Sequence, residues 1–413
     1  MSDQLREMLL LGRRGLPIFA ISFSWAMGTG ALYIARPLFA AELGASIFFV
    51  VLVNTAGTIA RPLLAPVAGV LMDRWGRRPI LLGGSLLNGI AALSQTFVSS
   101  YSEFIFLEFI AGVGRAFYFP ANSVLLADIT EERNRGRASA LRGTASRLGS
   151  IGGPFIAGLV AVVFDLRAVF AYQALTKFVV FVIVLFFIQE TTPVAGEPRE
   201  SEQERRSAGR PLLSLFTNRT FAALALASFC SSMMSDGLFG AIFPVYAKDA
   251  ARLSTLEIAN LITIGGIVTL VVSLPSGALM DLYGRKKNLV AGLLTLGVAA
   301  LFLAHISNFP STLLMVVIYG AGHGISSGGT GVYAMDLAPP QQRGAFLGTW
   351  TSFTQLGQLI APLVIGFLAD MAGFQFAYFL LAGSLVLSGL LLWLYAAESL
   401  PRQISTAAET ATL

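Results

Sequence analysis

Cysteine occurs once in the 413 residues, at Cys230, and histidine only twice, at His305 and His323. One cysteine cannot close an intrachain disulfide, and two histidines offer nothing resembling a zinc or redox constellation, so no metal and no cofactor is expected. Charge is scarce too: Asp, Glu, Lys and Arg make up 12% of the chain, against roughly a quarter in an ordinary soluble domain. The sequence also contains no P-loop, dinucleotide fingerprint or nucleophile motif, which removes the usual grounds for an enzyme. A sensor, or an enzyme lacking these motifs, is the remaining form of that reading.

What the chain has instead is apolar length. Hydrophobic residues reach 55% and the mean hydropathy is +0.72, which excludes disorder and points to a polytopic helical membrane protein. Crossing ~30 Å of hydrocarbon takes about 20 residues at 1.5 Å each. Runs of that kind fall at about 17–39, 48–72, 79–98, 103–127, 140–163, 168–188, 219–247, 256–280, 288–306, 311–335, 346–368 and 374–396, here numbered spans 1 to 12. Span 1 follows Arg13 and Arg14 but is too long, and lacks the small-residue cleavage site, for a signal peptide. The polar stretch from Glu190 divides six spans from six, so the expected units are 1–189, a linker at 190–215, and 216–413. Asn218-Arg219-Thr220 matches a glycosylation sequon but falls on the inner side.

The basic residues set the orientation. Of the 28, only Arg167, Lys248 and Arg252 fall on the side without the termini, while Arg36, Arg61, Arg115, Arg147 and Lys177 lie inside apolar segments. The rest flank the spans on the terminus-bearing side, which the positive-inside rule makes cytoplasmic. Hence the net charge of +5 is a topology signal rather than a nucleic-acid surface. The expected setting is a multi-pass protein of a prokaryotic cytoplasmic membrane, both termini cytoplasmic, acting as a monomer.

An internal repeat runs through the chain at a constant offset of 208. It carries Gly69, Asp73, Gly76 and Arg77 onto Gly277, Asp281, Gly284 and Arg285, and Gly112, Asp128, Gly149, Pro154 and Gly158 onto Gly320, Asp336, Gly357, Pro362 and Gly366. An even number of spans separates equivalent positions, so the halves are parallel repeats about an axis along the membrane normal. A substrate site is expected where they meet near the midplane.

The loop after span 2 reads Gly69, Asp73, Arg74, Gly76, Arg77, Arg78, with a second copy after span 8, and span 5 carries Gly149, Gly153, Pro154 and Gly158 in "GSIGGPFIAG". These residues resemble the signature loop and the span 5 antiporter motif of the major facilitator superfamily, specifically its twelve-helix drug/proton antiporter group, over nearly the whole chain. The resemblance implies an all-α membrane protein: twelve transmembrane helices in two six-helix pseudo-symmetric halves, working by alternating access. It implies a cytoplasmic gate in which the loop arginines reach acids such as Asp128, and it associates the span 5 motif with export. Physically, Gly69 permits close helix approach, Asp73 suits a helix end, and Gly149, Gly152 and Gly153 share a face suited to tight packing. One departure stands out: many family antiporters place an arginine where this chain has Glu108, so the family arginine's proton role does not transfer to Arg115.

Ionisable residues within a span are expensive and become functional candidates by default. Glu108 lies about 8 Å from the outer end of span 4, with Arg36 at comparable depth, which suits an ion pair; Arg115 lies about 18 Å in. The 208 offset carries Arg115 to His323 on span 10, and Asp236 is near the middle of span 7. The resemblance places spans 1, 4, 7 and 10 around the cavity. Asp236, His323 and Glu108 are therefore the candidates for proton coupling. Arg115, Arg61, Arg36, Lys177, Tyr33 and Trp25 are the candidates for substrate contact. The leading expectation is proton-coupled efflux of small amphipathic, drug-like compounds. The alternative is transport of an organic anion or anionic lipid-like substrate on the buried cations, which otherwise serve structural pairing.

Overall fold

The computed structural model describes residues 12–130, 134–190, 218–327, 329–338 and 343–399. The stretch after Glu190 expected as a linker lies outside them. The side chain of Asp236 is likewise outside the described set, although its backbone is within it.

The spans are helices Gly12–Glu42, Ile47–Trp75, Arg77–Gln95, Tyr101–Ile129, Arg135–Val163 and Leu166–Phe187, then Arg219–Ala250, Thr255–Tyr283, Arg285–Leu303, Phe309–Leu337, Arg343–Ala372 and Phe374–Tyr395. Among the described residues, eleven are long and apolar enough to cross a membrane. The exception is span 3, Arg77–Gln95, a helix whose composition is too polar to qualify although it was expected as a crossing. The reason is visible in its packing. Ser85, Asn88 and Gln95 are buried: Ser85 bonds back to Leu81 O of its own helix at 2.8 Å, while Asn88 and Gln95 reach Ala111 O at 2.6 Å and Glu108 Oε2 at 2.9 Å on span 4. Polar residues satisfied against neighbouring helices depress hydropathy without facing lipid.

Span ends are set by local chemistry. Ser254 and Glu257 form a capping box at the start of span 8, and Asp165 accepts from Ala168 N at 2.7 Å to start span 6. Spans 3 and 9 are capped from a distance. Glu190 accepts from the N–H groups of Arg77 and Arg78 at 2.7 and 3.2 Å, and Glu398, its mate at the 208 offset, accepts from those of Arg285 and Lys286 at 2.9 and 3.3 Å. Gly76 and Gly284 make the turns at φ +87° and +101°, a region that L side chains rarely adopt.

Span 7 departs from a regular helix: it is α-helical over Arg219–Ser232, π-helical over Met233–Ile242 and α-helical again over Phe243–Ala250. A π-helical insertion widens the turn and is often found at functional positions.

Spans 1 to 6 pack among themselves, as do spans 7 to 12, and the two groups meet chiefly through spans 5 with 8 and 2 with 11. Glycines bring backbones together within each group. A Cβ at Gly149 or Gly153 would run into Phe23 O or Met27 O of span 1, and one at Gly112 would meet Gly57 O of span 2. Gly57 and Gly112 recur at the 208 offset as Gly265 and Gly320, which also cross closely, a Cβ on Gly320 lying 2.8 Å from Gly265 O. Gly152 does not share the packing role expected of it, because a Cβ there meets open space. Gly69 and Gly277 also have nothing within 4 Å, so the close approach expected at the signature glycine is not made in this conformation.

Candidate functional site

At the face carrying the repeated loops, Arg77 forms an ion pair with Asp128, its Nε 3.0 Å from Oδ2, and its repeat mate Arg285 pairs with Asp336 and stands 3.8 Å from Asp281. Arg78 donates to Leu185 O at 2.6 Å, while Asp73 and Arg74 are exposed. The loop arginines thus reach span 4 and span 10 as expected, each within its own group of six spans.

At the far face the two groups are joined directly. Asp370, at the end of span 11, accepts from Ser46 Oγ at 2.8 Å, Ile47 N at 3.1 Å and Phe48 N at 2.9 Å, capping span 2. Lys248 reaches Glu42 at 3.3 Å, and Gly158 and Gly366 lie against Ala259 and Val51 of the opposite group.

Between these faces lies a cavity of about 550 Å³ lined by both groups. Span 7 contributes Ser228, Ser231, Ser232 and Ser235, and span 5 contributes Ser146, Arg147 and Ser150. One wall is aromatic: Phe239 stacks on Tyr319 at 3.9 Å, and Tyr319 lies parallel to the ring of His323 at 5.7 Å. Nδ1 of His323 is buried without a hydrogen-bond partner among the described residues.

A smaller cavity of about 250 Å³ lies beside it and shares Tyr33 and Gln358 with it. Arg36, Arg61 and Arg115 line this chamber together with Asn54, Thr58 and Phe119. Behind them is Glu108, fully buried, which receives Arg36 Nη2 at 2.9 Å, Arg115 Nη2 at 2.6 Å and Gln95 Nε2 at 2.9 Å. A buried carboxylate needs partners of this kind, because an unpaired charge in a low-dielectric interior costs several kcal/mol. Arg36 also donates to Asn54 Oδ1 at 2.5 Å, and Asn54 donates to Gly240 O at 3.3 Å, which ties the cluster to the π-helical segment of span 7. Arg61 lies over the Phe119 ring at 4.9 Å.

The expected site residues therefore separate. Arg36 and Glu108 meet, and Arg115 joins them instead of facing His323, its mate at the 208 offset. Lys177 and Trp25 line neither cavity: Lys177 donates to Trp25 O at 2.6 Å and Thr29 Oγ1 at 3.1 Å, and Trp25 is stacked on Tyr118 at 3.5 Å. Both are buried between spans 1, 4 and 6. Sequence reasoning passed over Gln358, Asn54 and the span 7 serines, and left Arg147, a charge inside span 5, outside the candidate site. The serines had a signal, since 228, 231, 232 and 235 fall on one helical face of an otherwise apolar segment. Arg147 had one too, lying opposite the glycine face that packs on span 1.

Comparison with known proteins decides the family. The family model described as Major Facilitator Superfamily matches residues 18–259 and 224–412. The chain belongs to that superfamily. It is 24% identical over 355 residues to the multi-drug resistance efflux pump PmrA of Streptococcus pneumoniae, covering 83% of this chain and 86% of that one. It is 22% identical over 361 residues to an uncharacterised transporter of this superfamily, MJ1560 of Methanocaldococcus jannaschii, covering 87% and 92%. In three dimensions it resembles the nucleoside transporter NupG, with TM-score 0.78 at 14% identity over 92% of this chain and 98% of that one. That likeness bears on the fold alone. The facilitator-superfamily chain is thus a multi-pass membrane transporter of small molecules rather than an enzyme.

Proposed function

We propose that this transporter exports small amphipathic compounds in exchange for protons, by rocking its two six-span groups about the cavity between them. The observation that carries the reading is the cavity of about 550 Å³, which presents hydroxyls from both groups and a stacked aromatic wall from spans 7 and 10. Such a lining accepts an apolar body and a few polar atoms without a rigid template. Contacts between the groups gather at the far face through Asp370 and Lys248. At the loop face a Cβ on Gly69 or Gly277 would meet no described atom within 4 Å, so the conformation suits access from the loop side, which the basic residues make cytoplasmic. The multidrug efflux relative adds support for export. Glu108, His323 and Asp236 remain the proton-coupling candidates, and the chain is proposed to act as a monomer in a prokaryotic cytoplasmic membrane.

Reconstitution into proteoliposomes with an imposed pH gradient tests the proposal, using a fluorescent amphipathic dye as cargo. Accumulation is expected to follow the gradient and to collapse when a protonophore removes it. Indifference to the gradient would exclude proton coupling. Full coupling in both E108Q and the D236N/H323Q double variant would dismiss the residue assignment.

A further inference from the structure

The two cavities differ in chemistry in a way that bears on the cargo. The described charged residues lining the smaller chamber are Arg36, Arg61 and Arg115, with no carboxylate among them. Glu108 stands behind the arginines and engages one nitrogen of Arg36 and one of Arg115, so one carboxylate offsets at most one of the chamber's three guanidinium charges. Nε of Arg36 is buried with no hydrogen-bond partner among the described residues. Arg61 has a ring beneath it but no described carboxylate partner. A guanidinium presents a planar fork of donors that fits carboxylate, sulfonate or phosphate oxygens two at a time. Excess positive charge lining a small cavity repels cations and draws anions.

The adjoining chamber supplies the opposite chemistry. Phe239, Tyr319 and His323 offer flat stacked faces, and Tyr33 and Gln358 border both spaces. From this juxtaposition we infer that the transporter has a two-part site for organic anions: the anionic head of the cargo lies among Arg36, Arg61 and Arg115, and its apolar or aromatic body lies against the Phe239–Tyr319 wall. Glu108 acts as the internal counter-ion that holds Arg36 and Arg115 in place and competes with the cargo for them. Arg61, free of that carboxylate, is the residue that sets anion preference. This inference rests on the transporter reading above and narrows its substrate class.

Binding of a matched set of probes to the purified full chain in detergent tests it: 2-naphthoate, 2-naphthalenesulfonate, the neutral 2-naphthamide, trimethyl(2-naphthyl)ammonium, and inorganic sulfate. The two organic anions are expected to bind at least tenfold more tightly than the amide, and the ammonium more weakly still. R61Q is expected to reduce the anion-over-amide preference at least several-fold, and R61K to retain part of it. E108Q is expected to tighten anion binding several-fold, because it removes the competing charge; a purely structural role for Glu108 predicts no gain. Equal affinity for naphthoate and naphthamide, or an unaltered preference in R61Q, would overturn the proposal. So would sulfate binding as tightly as the naphthalenesulfonate, since then the larger chamber contributes nothing. The same probes in proteoliposomes separate the two readings. Selective anion binding with no transport of any probe sinks the exporter and leaves the site, whereas export of the amide or ammonium without anion preference does the reverse.

Discussion

Glu108 and Lys177 are both buried charges, and the structure predicts opposite responses to their removal. Glu108 neutralises Arg36 and Arg115 at 2.9 and 2.6 Å. Glu108→Ala strands two guanidinium groups, and breaking a buried pair from one side costs about 3–5 kcal/mol. A clear fall in the unfolding temperature in detergent is expected, smaller for Glu108→Gln, which keeps the shape. Lys177 has no described acid beside it, and Trp25 O, its acceptor at 2.6 Å, also receives Thr29 Oγ1 at 2.9 Å. Lys177→Met therefore leaves that carbonyl partnered and removes an isolated buried charge, so thermal stability is expected to hold within about 1 kcal/mol. Transport is expected to persist as well, because Lys177 lines neither cavity; loss of transport with stability intact would return it to the substrate-contact candidates. The sequence marks both residues equally, as charges in apolar segments. Only their neighbours tell a shared counter-ion from a packed ammonium.

At the level of the helices, small residues carry most of the information, yet only some of it can be read from spacing. Gly153 and Gly152 are adjacent in the same motif, but a Cβ on Gly153 strikes Met27 O whereas one on Gly152 meets open space. Gly153→Leu is expected to prevent recovery of folded protein. Gly152→Ala is expected to be neutral or to stabilise by about 0.5–1 kcal/mol, the usual helix cost of glycine against alanine, as read by thermal unfolding. A large loss in Gly152→Ala would mean that this face closes on a partner helix in the dominant state. Span 3 illustrates the converse. Its polar Ser85, Asn88 and Gln95 weaken the hydropathy signal, and their inward direction becomes visible only once spans 4 and 6 lie beside it. The π-helical turns of Met233–Ile242 are likewise invisible to a 3.6-residue reading, because their i→i+5 bonding follows a longer period.

For the whole molecule, the Asp370 cap on span 2 is a latch between the two groups of six spans. In a C230S background, a S46C/D370C pair is expected to stop transport under oxidising conditions and to recover it with reductant; transport that ignores the oxidation state would show that the far face need not open. The latch has no mate in the repeat, since the 208 offset carries Asp370 back to Val162, and so the internal symmetry gives no hint of it. What the sequence determined by itself was the membrane setting, the span order, the repeat and the loop ion pairs near Asp128 and Asp336. Those follow from runs of apolar residues and from contacts within one repeat, where chain position largely dictates proximity. The tertiary structure alone decided which buried charges share a chamber. Arg115 and His323 are equivalent by sequence, yet one turns to Glu108 and the other faces the serines of span 7. That divergence comes from side-chain direction and from the helix that happens to lie opposite, neither of which a repeat offset records.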